Sequence, residues 1–268
     1  MKTTARGMAW VAATLVGSLG HGAAAAGDLT ANVAVSNNYI WRGLTQNENG
    51  AAVQGGLDYT AGNGFYAGTW ASNVTYLPGD PFSYEHDLYL GIRGGETLLW
   101  DVGYLYYNYD QAANYDFSEA YVALGWNGFT LKYSTLVQTE RDESLDAGTR
   151  GVGPTPDYGF GSASYVALDY AYKLPNEITL GFHVGRHDGD FARSFNAFTS
   201  RDYVDYNVSV SKGNFKFMVT DTNLSTGDQY GSCTTGTCGG FGPDTFSILP
   251  NNNREVKFVV SYTMPIDL

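Results

Sequence analysis

Five short turn signals alternate along this chain with six longer, more polar connections, and few folds accommodate that rhythm. The short ones are Ala61-Gly62-Asn63-Gly64, Gly94-Gly95-Glu96-Thr97, Asn127-Gly128, Leu174-Pro175-Asn176-Glu177 and Lys212-Gly213-Asn214. The longer ones cover residues 42–50, 77–84, 110–116, 139–160, 188–200 and 223–253. Each connection joins two segments of strand-like alternation, so twelve strands are expected. An even strand number, with short turns on one side and long loops on the other, predicts an all-β fold. The expected form is an antiparallel transmembrane β-barrel with periplasmic turns and external loops.

The N-terminus points to the same compartment. Lys2 and Arg6 precede an uncharged run, residues 7–19, and then comes Ala23-Ala24-Ala25-Ala26. A positive start, a short apolar core and a small-residue exit describe a secretory signal peptide, cut after Ala26. The run is shorter than the roughly 20 residues a spanning helix needs. Residues 1–26 are therefore expected to be the signal, and residues 27–268 one barrel domain embedded in bacterial outer-membrane lipid.

The 34 glycines and 21 tyrosines among 268 residues favour strands, turns and interfacial aromatic belts. A mean hydropathy of −0.23 is compatible with a barrel wall, where lipid-facing and lumen-facing residues alternate and dilute the average. Without Lys2 and Arg6, the 15 basic residues become 13 against 27 acids, so the formal charge moves from −12 to −14. A nucleic-acid partner needs a basic face and is not expected. The pair in Cys233-Thr234-Thr235-Gly236-Thr237-Cys238 reads, in an exported protein, as a small loop-closing disulfide between Cys233 and Cys238. No histidine or acid with ligand spacing flanks it, so no metal site is expected, and nothing in the chain calls for a cofactor.

Period-two alternation assigns the faces. Leu88, Leu90 and Ile92 oppose Asp87, Tyr89, Gly91 and Arg93; Trp100, Val102 and Tyr104 oppose Asp101, Gly103 and Leu105. Val122 and Leu124 oppose Glu119, Tyr121 and Ala123, while Val166 and Leu168 oppose Ala167 and Asp169. The same pattern puts Phe182 and Val184 opposite His183 and Gly185, and Val208 and Val210 opposite Asn207 and Ser209. In a membrane barrel the apolar face meets lipid and the polar face the lumen. Three segments alternate less cleanly. Residues 65–75 are assigned Tyr66, Trp70 and Val74 outward, and residues 129–137 leave Lys132, Ser134 and Gln138 inside. Residues 29–41 carry Val33, Val35, Tyr39 and Trp41 on one face, with the strand's end above the membrane. The last strand is expected to stop near Thr263, with Pro265 in a short periplasmic tail, because proline cannot donate to a ladder.

The first hairpin also carries a resemblance. Tyr39-Ile40-Trp41-Arg42-Gly43-Leu44-Thr45-Gln46 and Gly64-Phe65-Tyr66-Ala67-Gly68-Thr69-Trp70-Ala71-Ser72-Asn73-Val74 are its specific parts, within residues 29–74. This stretch resembles the proteobacterial TorF-type porin family, also labelled Gcw-chp. The resemblance implies an outer-membrane barrel with a porin-like role and no catalytic residues; the solute is unassigned.

Together these readings point to a lumen lined by Asp58, Asp87, Arg93, Asp101, Glu119, Lys132, Asp169 and His183, passing small polar solutes. Five acids against two bases predict a modest cation preference. Inward glycines are expected to leave space, although inward tyrosines and the long loops could instead plug the barrel and make it a surface binding protein. An outer-membrane hydrolase is the weakest reading, because no Gly-x-Ser-x-Gly segment accompanies His86, His183 or His187.

Overall fold

The computed structural model describes residues 27–76, 81–140, 158–195, 202–224 and 255–268. In chain order the strands are β1 (Asp28–Ser36), β2 (Ile40–Trp41), β3 (Leu44–Thr45), β4 (Ala52–Thr60), β5 (Phe65–Asn73), β6 (Tyr84–Gly94) and β7 (Leu99–Tyr109). There follow β8 (Phe117–Trp126), β9 (Phe129–Thr139), β10 (Ser164–Lys173), β11 (Ile178–Asp188), β12 (Tyr203–Lys212), β13 (Phe215–Thr222) and β14 (Lys257–Asp267). A short helix, α1 (Asp190–Phe195), follows β11. All of these strands except β2 and β3 pair antiparallel with their neighbours, and β1 closes the wall against β14. The result is the twelve-strand closed barrel expected from the turn rhythm. The five short turns lie at one end, together with the start of β1 and the end of β14. The Cys233–Cys238 pair, the signal segment 1–26 and most of the connections 139–160 and 223–253 lie outside the described residues.

Alternation becomes inside and outside as the period of two requires. Leu88, Leu90, Ile92, Val102, Leu124, Leu131, Val166, Leu168, Phe182, Val184, Val208 and Val260 are all exposed on the outer surface. A watery surface would not carry so large a continuous apolar belt. Near the short turns the belt ends in outward aromatics, Tyr59, Phe65, Trp100, Trp126, Phe129, Tyr172 and Phe215, which form an interfacial girdle. Phe129 stacks on Tyr170 at 4.4 Å, and Phe215 meets Tyr262 edge-on at 4.8 Å. At the other end Asp110 receives the amide hydrogens of Ser83 at 2.6 Å and Tyr84 at 3.2 Å. Slight burial raises its pKa, and these bonds more than offset that, holding the carboxyl below its ordinary range.

Four segments depart from the sequence reading. First, β1 ends at Ser36 and the chain turns inward, so Tyr39 and Trp41 are buried inside the barrel. Asn37 marks the departure: its backbone N–H and side chain finish the seam with Val260 and Phe258 of β14. Second, β5 has the opposite face outward. Phe65, Ala71 and Asn73 are exposed, whereas Tyr66, Ser72 and Val74 are buried. The register opposes Tyr66 to Gly91, and only there does the ring find room and a carboxylate for its hydroxyl. Third, β14 runs to Asp267, with Pro265 opposite Asn32 of β1. The Thr263 N–H donates to Asn214 on the β13 side. Pro265, two residues on, turns that same edge past the start of β13, where no ladder bond is lost. A bulge also shifts β9, placing Ser118 opposite Gln138 but Glu119 opposite Leu136, which leaves Gln138 exposed and Leu136 buried.

Candidate functional site: the barrel lumen

The first external connection builds the centre of the lumen. Residues 37–51 fold into the barrel as the two-stranded sheet β2–β3, joined by Arg42 and Gly43 at φ 47° and 79°. Positive φ at both central positions is the type I′ hairpin geometry, for which glycine is suited and arginine is not. The loop satisfies its own polar groups. Thr45 Oγ1 donates to Asn38 Oδ1 at 2.7 Å and accepts from the Asn49 N–H at 2.8 Å. Asn47 Oδ1 accepts from the Tyr39 N–H at 3.0 Å, and Asn38 Nδ2 donates to Asn49 Oδ1 at 2.9 Å. The asparagines and threonine around the Tyr39–Gln46 stretch are thus the internal frame of a folded hairpin.

Arg42 at its tip reaches the wall. Its Nη2 donates to Glu119 Oε2 at 2.6 Å and its Nη1 to His187 Nε2 at 3.0 Å, with both ionic partners almost fully buried. The guanidinium is held between the Trp41 and Tyr165 rings, 4.1 and 4.3 Å from their centroids. Above it, on the external side, Trp41 packs against Tyr107, Phe117 and His187, and Phe117 meets Phe191 of α1. Below it lies a cavity of about 290 Å3.

The eight polar residues expected to line the lumen all lie on inward faces, but in two layers. Asp58, Arg93, Lys132, Asp169 and His183 line the cavity. Asp58 accepts from the Tyr89 hydroxyl at 2.5 Å, and Arg93 donates to Thr60 Oγ1 at 3.2 Å. Lys132 Nζ sits 4.1 Å over the Tyr121 ring. The two nitrogens of His183 face Asp169 at 2.7 Å and Asp205 at 2.9 Å. The other three residues are buried in the wall packing. Asp101 accepts from the Tyr66 hydroxyl at 2.6 Å, and Glu119 holds Arg42. Asp87 is fully buried, and neither of its oxygens has a hydrogen-bond partner among the described residues.

The inward glycines do not leave open space. A side chain on Gly68 would meet the Tyr89 ring, one on Gly91 the Tyr66 hydroxyl, one on Gly103 the Tyr121 ring and one on Gly185 the Tyr165 hydroxyl. Each glycine is the seat for a tyrosine from a nearby strand, and the Tyr66 and Tyr121 hydroxyls also hydrogen-bond each other. The residue-by-residue reading missed Arg42, Tyr165 and Asp205. The signal for Arg42 was available in Ile40-Trp41-Arg42-Gly43-Leu44-Thr45, two short apolar pairs around a two-residue turn ending in glycine. Alternation puts Asp205 on the inward face with Asn207 and Ser209, but nothing local marks Tyr165, and the two become neighbours only through the β10–β11–β12 register. Among the described residues, no group of three or more His, Cys, Asp or Glu side chains could hold a metal ion.

A closed strand wall, apolar outside and polar within, defines an outer-membrane β-barrel. The family model described as a bacterial protein of unknown function, Gcw_chp, matches residues 20–236, and the chain belongs to that family. No curated protein matches it. Among solved structures, the KdgM porin is similar with a TM-score of 0.47 at 8% identity, over 88% of this chain and 97% of that one. The NanC porin gives 0.47 at 10% identity, over 90% and 98%. OprD from Pseudomonas aeruginosa gives 0.38 at 13% identity, over 90% of this chain and 66% of that one.

Proposed function

We propose that this barrel is a porin-like channel for small polar solutes, with its bore set by the β2–β3 hairpin. The observation that carries the reading is a walled cavity bearing charges of both signs directly beneath that hairpin. Asp58, Asp169 and Asp205 share its lining with Arg42, Arg93 and Lys132. Opposed charges create a transverse field that orients hydrated solutes without a high-affinity site. The cavity wall is balanced, so the modest cation preference rests on the acidic balance of the chain, −12 in formal charge and −14 once Lys2 and Arg6 leave with the signal. The likeness of residues 29–74 to TorF-type porins agrees with this role.

The aromatic packing around Trp41, Tyr107, Phe117 and Phe191 favours a second reading, a plugged barrel whose external surface binds a partner. Recording in planar bilayers under a salt gradient separates the two. Discrete conductance steps with a cation-side reversal potential are expected. An anion-side potential removes the selectivity, and silence from both the native barrel and one lacking the hairpin tip removes the channel.

A further inference from the structure

The hairpin is fixed at its base and held at its tip in different ways. At the base, the Tyr39 hydroxyl donates to Glu85 at 2.8 Å, the Tyr76 hydroxyl donates to Gln46 at 2.8 Å, and the Thr75 N–H donates to the Gln46 carbonyl at 3.0 Å. The tip, residues 40–45, stands free of the strand ladder and crosses the lumen. Its ionic tie to the wall is Arg42 to Glu119, and the Gly43 backbone abuts Asp205 and Thr222 so closely that a side chain there would collide with both.

We propose that this tip is a hinged stopper, latched shut by the Arg42–Glu119 pair, and that the barrel conducts when the pair is broken and the tip swings about Tyr39 and Gln46. The proposal rests on the channel reading above. Three observations support two discrete positions. Arg42 and Glu119 are both buried, so separating them leaves each charge uncompensated unless water enters, and a half-broken pair is the least stable arrangement. Arg42 holds the left-handed backbone that glycine tolerates better, a local cost that the latch offsets in the closed position. Asp87, buried without a hydrogen-bond partner among the described residues, lies opposite Tyr107, whose hydroxyl donates to Glu119 at 3.3 Å. Tyr107 also packs against Trp41 of the hairpin, so withdrawing the tip loosens the wall packing beside this orphaned carboxyl, and hydration there favours the open position while the latch favours the closed one.

The test is a cycle of variants of the full mature chain recorded in planar bilayers: Arg42→Met, Glu119→Leu and the two together. Each single change strands one buried charge and is expected to raise the open probability several-fold. The double change puts two apolar side chains against each other and is expected to return the open probability, though not the selectivity to which Arg42 contributes, to the native level, because such replacement of a buried pair is tolerated. Singles that match the native barrel, or a double as open as the singles, overturn the latch. A fourth variant with residues 40–45 replaced by a Gly-Ser linker separates the two claims. If it conducts while the singles stay closed, only the latch fails; if it is silent too, the channel reading fails. Circular dichroism and the gel shift between unheated and heated samples confirm that each variant is folded.

Discussion

Thr69 lies at the centre of β5, four residues from either end. At a rise of about 3.3 Å per residue the strand ends lie roughly 13 Å away along the chain, or about 10 Å along the bilayer normal at a tilt near 40°. With an apolar band about 25 Å tall, Thr69 sits near the bilayer midplane. Its neighbour Trp70 points inward, 5.3 Å from Tyr39 between ring centroids. Thr69→Arg therefore places a cation in hydrocarbon, at about 2–4 kcal/mol. It also removes the 2.7 Å bond between Thr69 Oγ1 and His86 Nε2, worth about 1 kcal/mol. The expected loss is about 3–5 kcal/mol, and Ala71→Arg, two residues toward the interface on the same face, costs roughly half the insertion part. Urea-driven unfolding from phospholipid vesicles, followed by tryptophan fluorescence, measures both. If Thr69→Arg is neutral, Thr69 faces the lumen and the register of β5 is wrong. A larger cost at Ala71 than at Thr69 would break the depth argument.

The tyrosine-over-glycine packing predicts that Gly91→Ala, which drives a methyl into the Tyr66 hydroxyl, costs about 1–3 kcal/mol in the same unfolding assay. An unchanged midpoint would show that the ring is free to move aside. Glu96, exposed in a short turn, and Gln111, exposed at the other end of the barrel, test orientation: of Glu96→Cys and Gln111→Cys, only the second is expected to react with an impermeant thiol reagent on intact cells. Labelling at Glu96 alone would invert the barrel. For Cys233 and Cys238 a disulfide is expected in unreduced peptides by mass spectrometry, and two free thiols would exclude it. Closing so short a loop constrains little of the unfolded chain, so replacing both cysteines by serine is expected to leave the unfolding midpoint nearly unchanged.

What the sequence determined by itself was the wall. Strand number, the side of each connection, and the outward faces of β6, β7, β8, β10, β11 and β12 were legible because a strand's side chains alternate strictly, and lipid demands an apolar member at every second position. That period carries no information where both faces hold aromatic and small residues. Residues 65–75 offered Tyr66 and Trp70 against Phe65, Ala67 and Ala71, and only the partner strand chose between them, by setting Gly91 opposite Tyr66. Pro265 was a ladder breaker in the sequence and is harmless in the barrel, because the β13 ladder reaches only to Phe215 opposite Tyr262 and needs no donor at position 265. The lumen belonged to tertiary structure almost entirely. Tyr39 and Trp41 continue the alternation of β1 on paper, yet they leave the wall, because Asn37 completes the seam and Gly43 permits the turn that brings Arg42 to Glu119, 77 residues away in the chain. Which inward charge meets solute and which is locked in packing depends on such long-range pairs, and no local pattern encodes them.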